Sequence, residues 1–248
     1  MKGQLAVLVR HNATLVLREP GPVLSRLAQP VVLITLMRPL YTAAVPGSAG
    51  TLDVVTGMQV MFSMLALSVV GSAILTERTW HTWDRLRATS ARPSTMLLAK
   101  AVPAFAVLLA QQAVVLCFGV LAFGMRVADA SLMMLAVVCW VLALLGIGAT
   151  LGALLRSQSE LNVAYDIGGV LLSALGGALV PLSRLPGWAR TMAPGSPAYW
   201  AVSALRSAAA GSVEPTLRAC ALLLVVAVVF GALASWRISR GWARSRLL

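Results

Sequence analysis

The residues best placed to do chemistry gather in one polar stretch, Glu77-Arg78-Thr79-Trp80-His81-Thr82-Trp83-Asp84-Arg85-Leu86-Arg87-Ala88-Thr89-Ser90. It is too polar to enter lipid and carries helix formers as far as the Arg92-Pro93 break, which predicts a short helix over 77–92. Trp80, Trp83 and Arg87 fall at i, i+3 and i+7, giving that helix one aromatic and basic face. Trp and Arg are favoured anchors of protein interfaces, so the chemistry is recognition of a partner rather than bond making. The plainer alternative is a solvated loop whose tryptophans sit at the lipid headgroups.

Bond-making chemistry lacks its residues. His11 and His81 both lie outside the apolar runs, which removes serine and zinc chemistry from the bilayer interior. Tyr165-Asp166 resembles half of an intramembrane aspartyl pair, but no second membrane Asp stands in a Gly-x-Gly-Asp setting. A phosphate-cradling G-x4-G-K-[ST] loop needs a lysine after glycine, and the two lysines, Lys2 and Lys100, follow Met1 and Ala99. The chain is therefore expected not to be an enzyme by itself and to bind no cofactor or metal. Any ATP must be hydrolysed by another chain. Cys117, Cys139 and Cys220 fall inside apolar runs and read as small hydrophobes.

Two weaker sets remain. Met58, Met61 and Met64 recur every three residues and could line an adaptable apolar substrate path, or simply pack. Asp166 lies about one and a half turns into an apolar run, near Glu160, and an ionisable residue there is a functional hypothesis by default. It would either help bind a cationic substrate or pair with Arg26 or Arg156; the shallow depth favours the pairing.

The elements that must carry these residues follow from composition. Of 248 residues, 59% are hydrophobic and 11% charged, and the mean hydropathy is +0.85. A soluble domain carries roughly 25% charged residues, so neither a water-soluble globule nor a disordered chain fits. At roughly 20 residues per span there is room for about six membrane helices. They are placed at about 23–41, 54–76, 101–123, 131–155, 160–180 and 216–236. Residues 1–20 read as an amphipathic interfacial helix, with Arg10, His11, Thr14 and Arg18 opposite Leu5, Leu8, Val9, Leu15 and Val16. Pro20-Gly21-Pro22 is expected to turn the chain into the first span.

The net charge of +12 sits in the gaps between apolar runs, which is topology rather than a nucleic-acid face. One side of the six-span arrangement collects 14 Lys and Arg and the other six, which places both termini in the cytoplasm. The Arg and Ala bias, with only two lysines, points to a bacterial cell membrane.

The stretch from Glu77 to Arg87, followed by Arg92-Pro93-Ser94 and Lys100, resembles the coupling-helix region of type-2 ABC exporter membrane subunits, the daunorubicin-resistance type above all. That family reads approximately Glu-Arg-Glu-x-Gly-Thr-hydrophobic-(Asp/Glu)-x-Leu; this chain departs from it at Thr79 and His81. Gly176-Gly177, Val180-Pro181, Leu185-Pro186-Gly187-Trp188, Pro194, Pro197 and Ala204-Leu205-Arg206 are similar to the family's segment after span five. There, short helices fold partly back into the outer leaflet, here over 181–215. With the amphipathic start, the resemblance covers 1–248 as a single transmembrane domain.

The resemblance implies a permease subunit paired with a second membrane subunit, a copy of itself or a sister, above two copies of an ABC ATPase subunit that holds ATP and Mg. It implies export of a hydrophobic or amphipathic drug, antibiotic or lipid, with Glu77, Arg78, Trp80, Trp83, Asp84, Arg85, Leu86 and Arg87 coupling the ATPase to the spans. A stand-alone secondary carrier or a membrane scaffold is the alternative. A carrier calls for internal repeats and helices broken at midplane, and the two halves show no self-similarity.

Overall fold

The computed structural model describes residues 9–10, 14, 20–45, 47–79 and 93–239. The expected interfacial helix over 1–20 and residues 80–92 of the expected coupling helix thus lie almost wholly outside the described residues. Within them the chain is helical, with no strand. Lipid offers no partner to a free backbone N–H or C=O, so each segment satisfies its own.

Helix α1 spans Pro20–Ala44. The expected turn at residues 20–22 is instead the start of this helix: a proline in the first turn forfeits no hydrogen bond and already has the helical φ. Helices α2 (Ser48–Leu65) and α3 (Leu67–Thr79) meet at Ala66 and run on as one apolar stretch. Helix α4 spans Pro93–Phe123, again opening on a proline, with Pro103 inside it. Helix α5 (Ala130–Leu154) opens on Asp129, whose carboxylate accepts from the backbone N–H groups of Ser131 and Leu132.

Among the described residues, four segments are long and apolar enough to cross a membrane: Ser48–Thr76, Ala99–Phe123, Ala130–Leu154 and Val213–Ile238. These are the second, third, fourth and sixth of the spans expected from sequence. The first, α1, carries Arg26, Gln29 and Arg38 with Pro30 and Pro39, which lowers its apolar character. The fifth is broken into α6 (Gln158–Val163), a π turn (Ala164–Gly168) and α7 (Gly169–Leu175), and it stops at Gly177, with φ 80°, short of the expected Val180.

After Gly177 come the short α8 (Gly187–Met192) and α9 (Pro197–Ala209), then α10 (Val213–Ser239). At 1.5 Å per residue α9 is about 20 Å long, too short to cross. Its Ala198, Ala201, Val202, Leu205 and Ala208 are buried in the core cluster with Trp140 and Leu144 of α5 and Leu223 of α10. Small residues let these helices approach: a side chain at Gly176 would stand 2.6 Å from the Tyr199 nitrogen. Two ends of the bundle result. The distal end holds residues 44–45, 47–48, 123–130 and 176–213; the proximal end holds 77–79, 93–100 and 154–160.

Candidate functional site

At the proximal end, α3 carries the backbone of Glu77 and Arg78 to its last residue, Thr79, and α4 resumes at Pro93. Trp80, Trp83, Asp84, Arg85, Leu86 and Arg87 lie outside the described residues. The two helices that flank them are tied together: the Lys100 ammonium of α4 donates to the Ala73 carbonyl of α3 at 2.6 Å. A Lys in this place turns a charge that lipid would repel into a cross-link between the two arms of the polar segment.

Arg26 of α1 donates to the Ser68 hydroxyl of α3 at 2.9 Å, and burial lowers the strength of its solvation rather than pairing it with a carboxylate. Glu160 accepts from the Arg156 backbone N–H at 2.8 Å. Asp166 stands exposed on the π turn, with no ion pair to Arg26 or Arg156 among the described residues. Of the two arginines expected to pair with it, Arg26 turns to Ser68 instead.

The three methionines part company along α2. Met64 is buried in the larger core cluster, Met58 in the smaller one with Val54 and Val115, and Met61 is half-buried beside the smaller. In this conformation they pack.

The same helices hold a set of polar side chains that sequence reasoning passed over. Gln59 of α2 and Gln111 and Gln112 of α4 are all at most 2% exposed. Both polar atoms of Gln59 and of Gln112, and the Gln111 oxygen, have no hydrogen-bond partner. One turn from Gln59, the buried Ser63 hydroxyl accepts from the Trp140 indole at 2.7 Å and donates to the Val60 carbonyl at 2.8 Å. The signal was present in the sequence: amides standing in otherwise uncharged spans, where an unsatisfied polar group costs several kcal/mol or so.

The distal end is latched across the chain. Asp53 of α2 forms an ion pair with Arg206 of α9 at 3.0 Å, both less than a quarter exposed. Burial lowers the Arg206 guanidinium below its ordinary value, and Asp53 pulls it partly back. The Tyr41 hydroxyl donates to the Leu179 carbonyl, and Arg184 donates to the Ala44 carbonyl at 3.2 Å. These bonds hold α1 and α2 to the segment after α7. Arg206→Gln alone strands a half-buried carboxylate and is expected to cost about 2–3 kcal/mol. The double variant D53N/R206Q should recover most of that, as thermal melting in detergent would read; additive single-variant losses would show that the pair is not coupled.

A helical bundle with four segments apolar enough to cross a membrane among its described residues, latched at one end by the Asp53–Arg206 pair, reads as a multi-pass membrane protein. The family model for the ABC-2 type transporter matches residues 3–209, most of the chain. The chain belongs to that family, and is a permease component of an ABC transporter. No curated protein matches it in sequence.

Proposed function

We propose that this chain is the membrane half of an ATP-driven exporter for a hydrophobic or amphipathic substrate, a drug, antibiotic or lipid. Two membrane subunits, identical or sister chains, sit above two ATPase subunits that hold ATP and Mg. The chain crosses six times, α1 and the broken fifth stretch included, with both termini in the cytoplasm of a bacterial cell. Family membership is the observation that carries this reading. Exporters of this kind need a lever between the ATPase and the spans, and residues 77–92 fall in the sequence where α3 ends and α4 has yet to begin.

Motion at that lever passes into the bundle through identified contacts. Lys100 ties α4 to α3, and α3 packs along α5 through glycines, so closure of the ATPase dimer tilts these three helices together. The substrate moves by alternating access. Its path is bordered by Met58, Met61 and Met64 and by Asp166, and opening it exposes the amides of Gln59, Gln111 and Gln112 that are unpartnered here. A transient opening would give these groups the hydrogen bonds they lack.

Mass spectrometry of the intact complex, after expression with the neighbouring genes, tests the assignment. Two membrane subunits with two ATPase subunits, and nucleotide hydrolysis by the assembly, are expected. A lone chain that retains no ATPase and shows no response to nucleotide would favour the stand-alone carrier or scaffold.

A further inference from the structure

The distal end also holds a cleft of about 730 Å³ between α1, the start of α2 and the end of α4. Arg38, Thr42, Ser48, Thr51, Phe123 and Arg126 stand on its walls, and among the described residues no carboxylate lines it. The Arg38 guanidinium lies over the Phe123 ring, 4.6 Å from its centroid, and its buried Nε–H has no acceptor. The hydroxyls of Ser48 and Thr51 make no hydrogen bond among the described residues. The acids that could neutralise the two arginines are engaged or placed elsewhere. Asp53 is held by Arg206, Asp129 caps α5, and Glu214 is exposed in the first turn of α10.

Two guanidiniums line one cleft, and neither has a carboxylate partner there among the described residues. An anion with several acceptor oxygens offsets both charges and satisfies the stranded Nε–H and the hydroxyls. Guanidinium pairs of this sort suit phosphate, whose oxygens accept bidentate hydrogen bonds. On the side of α1 turned away from Arg38 and Thr42, Val32, Leu36 and Leu40 are exposed at i, i+4 and i+8, an apolar stripe suited to hydrocarbon beside the cleft's helix.

We infer that this cleft binds the phosphate of a lipid headgroup whose hydrocarbon stays in the surrounding bilayer. The site needs no ATPase partner, so it stands or falls separately from the exporter assignment.

The full chain, purified in detergent, would be titrated with phosphatidylglycerol and with phosphatidylcholine and its bound lipid read by native mass spectrometry. Wild type should retain the anionic lipid in preference to the zwitterionic one. Arg38→Gln and Arg126→Gln should each lower that preference roughly fivefold, and the double variant roughly 25-fold. Lipid that stays bound in millimolar inorganic phosphate identifies the ligand as a bilayer lipid; displacement by phosphate identifies the headgroup chemistry with a soluble source. Equal retention of the two lipids by wild type would overturn the inference. So would an unchanged preference in Arg126→Gln, whose exposed side chain lies outside any helix and leaves folding intact.

Discussion

Gly152→Val should leave little properly folded protein, lowering stability by about 3 kcal/mol and the melting temperature by roughly 10 °C. A Cβ at Gly152 of α5 would stand 2.7 Å from the Gly71 carbonyl oxygen and 2.9 Å from the Gly71 Cα of α3. Both are backbone atoms of a neighbouring helix and cannot rotate aside. One turn earlier, a Cβ at Gly148 would meet the Val70 Cβ at 3.0 Å and the Leu67 carbonyl at 3.2 Å. Gly148 and Gly152 thus form one groove into which α3 is set, and the buried Tyr165 fills the space that a side chain on Gly71 would need. In lipid no hydrophobic force drives helices together, so close backbone packing carries much of the association. Valine there forces α3 and α5 apart along the contact that links the polar segment to the core. Gly168→Ala is the matched control: its backbone is helical (φ −63°), nothing lies within 4 Å, and the change should be neutral or stabilising. Wild-type melting of Gly152→Val, measured in the same detergent, would show that the crossing tolerates separation.

Four of the expected spans are visible in the sequence because each is a long apolar run, and lipid leaves such a run no choice but helix. What sequence reasoning missed was set by distant partners. The second span was expected to begin after Asp53, yet the helix starts at Ser48, because Arg206, far along the chain, neutralises that carboxylate within it. Asp166 is expected to bind a cationic substrate or to pair with Arg26 or Arg156, yet no ion pair joins it to either among the described residues, and Arg26 turns to Ser68 on another helix. The π turn at Ala164–Gly168 leaves no compositional trace, since its residues would serve an α-helix equally well. Likewise the prolines at 20 and 93 read as breaks, although a proline that ends one segment is also well suited to open the next. The tryptophan and arginine face expected over 77–92 stands out in the sequence because charge and aromatics contrast with an apolar chain, but Trp80, Trp83 and Arg87 lie outside the described residues. The glutamines of α2 and α4 do not stand out, because an amide adds no charge and interrupts an apolar run only briefly.

Trp83→Ala and Arg87→Ala should each weaken the grip of the ATPase on this chain by about 2 kcal/mol, a drop of roughly 30-fold in coupled ATP hydrolysis at limiting ATPase subunit. The proposed docking helix is short and polar, so few of its side chains can bury much area. A tryptophan seated in a protein cleft carries far more of the binding than its neighbours, and an arginine beside it adds bidentate contacts to carboxylates. Membrane insertion should be unaffected, because both residues lie between α3 and α4 and outside every apolar span. The same logic separates coupling from binding. Where ATPase subunits remain bound to Trp83→Ala but transport fails, the residue transmits the stroke; where they dissociate, it anchors the dock. A Lys100→Met variant extends the argument, since it cuts the bond from α4 to the Ala73 carbonyl while leaving 77–92 untouched. It should retain the ATPase and its basal hydrolysis yet lose the stimulation that substrate brings, because the two arms of the lever would no longer move as one. Full coupled hydrolysis in both Trp83→Ala and Arg87→Ala would remove this segment from the mechanism and leave its aromatic face to the lipid headgroups.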